Sequence, residues 1–350
     1  MKGVKFDDIH SYTDLNLVLS GVNIPPAKPK TTFVDLPGAN GSVDLTEALG
    51  EVKFADRECS FTFTVFPYED FEEKKRQISN LLNGKRCNIS LDKDPGYFWT
   101  GRCSVDSYES NKNLHKIVVK ATVAPYKLKQ DLTYVAAYFC GKNLCHATVT
   151  RTGTYNGITL TRHANSSEVI LDGVAEREFS LIAADEMMLY PGTYTLSVYG
   201  LNNINTNNDR CYLYDLDNEK AVINYVKPGK PGTFTITEPK RIRTDLVMAQ
   251  GSTYDGQLVG IQLEAGATVT EYESYTPNTD PQDIALSNGR KSVSPTVVCT
   301  GGAALTFNGA TVNLNAGTHK ILDLQLREGE TPVTVSGTGT VAIIYQEGDL

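Results

Sequence analysis

Tyr212 and Tyr214 stand two positions apart in the run CYLYDL, and Asp209 and Arg210 precede them at the end of the polar stretch NNINTNND. Side chains two apart on a strand project from the same face. Tyrosines so placed offer flat rings to a pyranose, and neighbouring Asp, Asn, Gln or Arg can hydrogen-bond its hydroxyls. These four, with Tyr199 upstream, form the candidate carbohydrate-binding set. Tyr225 and Tyr254 lie on or near strands of the same region. The alternative for each ring is core or rim packing with a satisfied hydroxyl. The only tryptophan, Trp99, falls outside the region.

Other residues with chemical potential are scattered. Cys140 and Cys145, with His146 beside them, are half a metal site or a pair of reduced thiols. Seven cysteines at these spacings match no zinc or redox template, and reduced, mostly buried thiols of a cytoplasmically folded protein are expected. Asp209, Asp215, Asp217 and Glu264 carry the oxygen ligands calcium prefers, yet acidic turn residues are ordinarily just solvated. No metal and no cofactor is therefore expected. His10, His115, His146, His163 and His319 sit in polar or turn settings and are expected at the surface. The chain holds no nucleophile elbow, His-Glu-x-x-His helix, P-loop or dinucleotide fingerprint. Asp185 and Glu186 are adjacent, which says nothing about flanking a scissile bond. The sequence makes no positive case for an enzyme.

A net charge of −8 argues against a nucleic-acid surface, which needs clustered Lys and Arg. The densest basic stretch, Lys240, Arg241 and Arg243, is short and fits a solvated strand face. No apolar run approaches the ~20 residues of a membrane span. The opening MKGVKFDDIHSYTDL has no apolar signal-peptide core, so neither membrane insertion nor signal-directed secretion is expected.

The elements that position these residues are strands. Runs such as SFTFTVF (60–66), YTLSVYGL (194–201) and TVAIIYQ (340–346) alternate apolar and polar residues between Gly, Asn, Asp and Pro turns. That pattern predicts a mainly β, antiparallel protein. One segment departs from it. From Tyr68 to Gly84, Phe71, Ile78, Leu81 and Leu82 share a helical stripe behind an acidic first turn, with Gly84 placed to end the helix. Composition and the TPNTDP connector (276–281) divide the chain into blocks at 1–130, 131–280 and 281–350.

The first block resembles the N-terminal domain of siphophage distal tail proteins. The resemblance lies in an ordered series over about 115 residues: Tyr12, Asp14 and Leu15; Val34, Pro37, Gly38, Asn40 and Gly41; Asp44 to Thr46; Arg57 before an alternating Phe/Thr strand; then Asn83-Gly84, Leu91 to Asp94, Tyr97 and Gly101-Arg102. The third block is similar to the galectin-like C-terminal domain of that family. It carries Asn288-Gly289, Pro295-Thr296, Phe307-Asn308-Gly309, the Gly337/Gly339 turn, and Tyr345, Glu347, Gly348 and Leu350, and residues near 125–130 are expected to complete it. The family's plain form has nothing between Pro125 to Lys127 and this domain, whereas roughly 150 residues intervene here. That intervening block resembles jelly-roll carbohydrate-binding modules through Asn156-Gly157-Ile158-Thr159, VILDGVA (169–175), LYPGTYTLSVYG (189–200) and VGIQLEAGATVTEYESY (259–275).

The resemblance implies a β-sandwich-like ring domain with one helix, an inserted jelly roll and a C-terminal β-sandwich. It implies a virion protein made in the host cytoplasm, a hexameric ring in the tail tip or baseplate, joining the tail tube protein to a tail-associated lysin or adsorption protein. The inserted module would bind host cell-wall saccharide, and the ends of the insertion must lie close together for the scaffold to survive. The rival expectations are an insertion that only spaces or docks other tail proteins, a non-phage adhesin, and a cell-wall glycosidase with an appended module.

Overall fold

The structure is a computed structural model that describes residues 3–48, 50–65, 70–111, 114–201 and 208–350. It is mainly β, as the alternation predicts, with strands gathered into several antiparallel sheets. Among the described residues no helix is long and apolar enough to cross a membrane.

The N-terminal sheet runs, in spatial order, Ile9–His10, Val4–Phe6, Arg86–Leu91, Asp94–Asn111, Leu114–Val123, Arg57–Val65 and Leu17–Asn23. Its strand RECSFTFTV buries Cys59, Phe61 and Phe63 on one side, as the Phe/Thr alternation requires. Phe6 meets Phe61 edge to face at 5.9 Å. The helix Phe71–Leu82 presses Phe71, Ile78 and Leu82 into this core and keeps Glu72 and Glu73 in its first turn. Gly84 adopts φ +77°, the left-handed conformation that lets the chain turn out of the helix. Tyr68 and Glu69, the expected start, lie outside the described residues. An isolated hairpin, Phe33–Asp35 with Ser42–Asp44, stands apart from the sheet with Phe33, Val34, Leu36, Val43 and Leu45 exposed.

The C-terminal unit packs two four-stranded sheets face to face. Gln282–Asn288, Gly329–Gly337, Ala303–Phe307 and Ala310–Leu314 form one of them. The other is Thr133–Phe139, Gly339–Tyr345, Thr296–Cys299 and Gly317–Lys320. The first strand of that second sheet corrects an expected boundary. Thr133–Phe139 pairs along its whole length with Gly339–Tyr345 and buries Ala137 and Phe139 between the sheets. The intervening block therefore leaves the scaffold at Cys140 and not at Asp131. Lys127–Lys129 ties the two scaffold units together, pairing with Asp94–Asn111 on one side and Gly348–Asp349 on the other.

Residues 140–277 fold around a core of their own. A six-stranded sheet (Arg151–Tyr155, Ile158–Arg162, Glu168–Val174, Thr253–Ala265, Gly192–Tyr199, Gly232–Ile236) lies over a five-stranded one. The latter orders Phe179–Ile182, Lys240–Met248, Arg210–Asp215 and Lys220–Val226, with Met187–Leu189 also on Lys240–Met248. Leu160, Leu171, Leu196, Leu213, Leu246 and Ile261 fill the space between. Entry and exit touch. Cys140 bridges Pro277, Gly141 N–H donates to Thr276 O at 2.8 Å, and Asn278 N–H donates to Phe139 O at 3.2 Å.

Candidate functional site

The strand Arg210–Asp215 alternates strictly, with Cys211, Leu213 and Asp215 buried and Arg210, Tyr212 and Tyr214 turned outward. The sequence spacing thus puts both tyrosines on one face, their ring centroids 6.1 Å apart at 79°. Strand register supplies their neighbours, Asp245 opposite Tyr212 and Arg243 opposite Tyr214. Arg243 donates two hydrogen bonds to Asp245, at 2.7 and 2.8 Å, and holds its guanidinium 5.7 Å from the Tyr214 ring centre. The Tyr212 hydroxyl donates to Asp245 Oδ2 at 3.1 Å and reaches Ser180 Oγ at 3.4 Å. Burial pushes the Tyr212 phenol above its ordinary pKa, so it remains a neutral donor at physiological pH.

Tyr212 and Tyr214 line a groove of about 290 Å³ with Glu178, Ser180, Arg210 and Asn224, and Arg243 and Asp245 brace the two rings from the neighbouring strand. That volume is near the lower end of small-ligand sites. Arg210 pairs with Glu178 at 3.4 Å, donates to Asn208 O at 3.1 Å, and lies 4.9 Å from the ring centre of exposed Tyr225. The arrangement offers two rings for stacking and both donors and acceptors at their edges, which suits a polyhydroxylated ring.

Two candidates take other places. Asp209 is 4% exposed, and its carboxylate accepts hydrogen bonds from Ala249 N–H at 2.6 Å, the Ser252 hydroxyl at 2.7 Å and the Tyr254 hydroxyl. It joins the start of this strand to the Ala249–Tyr254 turn inside the sandwich and does not line the groove. Tyr254 is its buried partner. Tyr199 lies in the other sheet, paired with Gly260, where its hydroxyl donates to Thr270 O at 3.1 Å and its ring packs on Tyr272 at 4.9 Å. Residues 202–207 of the polar stretch lie outside the described residues.

Sequence reasoning missed Ser180, Glu178, Asn224 and Asp245, and placed Arg243 on a merely solvated face. Arg243 and Asp245 are two apart, so their shared face was readable. Their position beside Tyr212 depends on pairing across the sheet, which no local pattern announces.

The acidic residues considered for calcium do not converge. Asp215 holds Lys240 and Asn218, Asp217 holds Arg241, and Glu264 holds Thr270. Among the described residues no group of three His, Cys, Asp or Glu side chains could hold a metal ion. All seven cysteines are free. Burial pushes the Cys140 thiol up to about 11 and the Cys145 thiol up to about 12, so neither is a thiolate at neutral pH. His146, expected at the surface, is half-buried and stacks on Tyr275 at 4.5 Å, and half-buried His10 lies 3.2 Å from Asp92. Asp185 and Glu186 serve different partners, Arg162 at 3.0 Å and Arg241 at 3.9 Å.

No family model and no curated protein matches the chain. Among solved structures, it is similar to the Dit (gp 19.1) protein of SPP1, described as a paradigm of the hub adsorption apparatus in phages infecting Gram-positive hosts. That similarity spans 100% of both chains at a TM-score of 0.38 and 10% identity.

Proposed function

We propose that this chain is a non-catalytic structural hub of a phage tail tip, carried in the virion, whose inserted sandwich presents a saccharide-binding face. The observation that carries the reading is the placement of the Tyr212/Tyr214 groove. It lies on a unit with its own core, joined to the scaffold at a neck where Cys140 bridges Pro277 and Tyr138 meets Tyr194. The scaffold residues are those that carry the resemblance to distal tail proteins. The exposed apolar hairpin Phe33–Asp35 and Ser42–Asp44 supports assembly, because two strands alone are marginally stable and such a surface calls for a partner. A second copy of this chain is that partner, in a ring of six that contacts the tail tube protein on one side and a lysin or adsorption protein on the other.

One stacked ring and two hydrogen bonds supply on the order of 3–4 kcal/mol, a millimolar single site. Six copies on one ring raise the effective affinity by presenting the sites together. Negative-stain imaging of the full chain, alone and with the tube protein, tests the hub, and the expected particle is a closed ring. A glycan array probed with the assembled protein tests the face. Uniform absence of glycan binding would leave the module a spacer or a protein-docking unit.

A further inference from the structure

The groove beside Tyr212 is bounded by Ser180. That residue also lines a second concavity, of about 520 Å³, at the open edge of the same sandwich. The opening exists because the two sheets do not cover each other there. In the edge hairpin, Arg151 lies opposite Arg162, Gly153 opposite Leu160 and Tyr155 opposite Ile158. Directly opposed residues share a face, and Ile158, Leu160 and Arg162 are all buried. Arg151, Gly153 and Tyr155 therefore line the core-facing side of an edge strand, yet Tyr155 is 54% exposed and Arg151 is exposed as well. The hairpin is closed by Asn156 and Gly157 at φ +47° and +84°, a turn that fixes the Tyr155 end. The Tyr155 ring lies across Gly153, where a side chain would stand 2.8 Å from it.

Charge at this edge is unbalanced. Two arginines stand directly opposite one another, an arrangement that repels unless a negative group lies between them. Asp185 answers only one of them. Arg162 is 3% exposed, and its Nη1 lies 3.0 Å from Asp185 Oδ1 but outside hydrogen-bonding geometry. The other Asp185 oxygen accepts from Thr148, through N–H at 2.6 Å and the hydroxyl at 2.5 Å. Among the described residues no carboxylate pairs with Arg151.

We propose that the two concavities form one groove across Ser180 that binds a saccharide chain bearing an anionic group. Tyr155 is its second stacking ring, and Arg151 with buried Arg162 its anion subsite. The inference rests on the reading of the Tyr212/Tyr214 face as saccharide-binding. Ser180 and Tyr212 sit on strands separated by one other, about 10 Å between backbones. A ligand that fills both concavities is an oligomer and not a single sugar. The anionic group is a carboxylate or a phosphate, since both accept paired guanidinium bonds.

Titration calorimetry on the full-length protein tests this with two matched pairs of probes, tetragalacturonate against its methyl ester and maltotetraose phosphate against maltotetraose. The expected result is that the charged member of one pair binds about tenfold tighter than its neutral partner. The identity of that pair tells carboxylate from phosphate. Arg151→Gln should erase the difference within the pair, whereas Tyr155→Ala should weaken both members. Both side chains are exposed, so the melting temperature should stay at the wild-type value in each variant. If Arg151→Gln and Tyr155→Ala bind like wild type while Tyr212→Ala/Tyr214→Ala does not bind, the extension is wrong and the original face stands. If only the edge variants lose binding, the continuous groove is overturned and the Tyr212/Tyr214 reading fails with it. Wild-type protein that binds none of the probes overturns the anionic-saccharide assignment.

Discussion

Asp209 and Tyr214 entered as members of one candidate site, and their environments predict opposite responses to substitution. Asp209→Ala would strip the acceptor from Ala249 N–H and from the Ser252 and Tyr254 hydroxyls inside the sandwich. The expected loss is about 2–4 kcal/mol in urea unfolding, with glycan binding lost only through the fold. Tyr214→Ala removes a half-buried ring and should cost under about 1 kcal/mol while abolishing glycan binding. Asp215 adds a pH signature. Burial alone would raise its carboxyl, but hydrogen bonds from Asn218 and Lys240 and from the backbone outweigh that and hold it at about 2. A carboxyl depressed in the folded state contributes stability that is present above its unfolded pKa, about 4, and lost as pH falls toward 2. Melting temperature should therefore drop across that window, and Asp215→Asn should lower it at neutral pH while flattening the acid limb.

Single elements were legible in the sequence where a local pattern decides them. The helix could be read because Phe71, Ile78 and Leu82 recur on one face, and Ile78→Ala is expected to cost about 2–5 kcal/mol by opening a cavity under it, as chemical denaturation would show. CYLYDL could be read because its alternation is strict, and that alone put Tyr212 and Tyr214 on one face. Thr133–Phe139 went unread, because nothing local says which sheet it joins. Its partner, Gly339–Tyr345, lies some two hundred residues away. Asp209 was misjudged for a related reason. Its polarity and loop position suggested exposure, while the donors that bury it come from a turn forty residues on. Ser180 and Asp245 stayed invisible because cross-strand register, and not spacing along the chain, brings them beside Tyr212.

At the scale of the whole molecule, the corrected boundary makes two deletions diverge. Removing residues 141–277 and joining Cys140 to Asn278 by a short Gly/Ser linker should leave a cooperative, β-rich scaffold, with a urea m-value lowered by the surface that no longer unfolds. Removing 131–280 takes Thr133–Phe139 with it, exposes the edge of Gly339–Tyr345, and should yield insoluble or molten protein by circular dichroism and dye binding. The proposed ring assembly is separable from both. Phe33→Asp with Val43→Asp alters only exposed hairpin residues, so light scattering should report a monomer with unchanged melting.

The neck also has a mechanical meaning. On the proposed function, a particle held by its inserted sandwich would pull on Phe139 and on the chain just before Gln282 together. These two attachments run into opposite sheets of the C-terminal unit, each strand secured by seven register pairs. Ladder bonds lie across the strands. Tension directed along the strands therefore shears both ladders at once and does not peel either open pair by pair. Resistance to such a load depends on the rate of unfolding and not on equilibrium stability. On that reading, the scaffold would hold a tether under force even where each proposed sugar contact at its far end is weak.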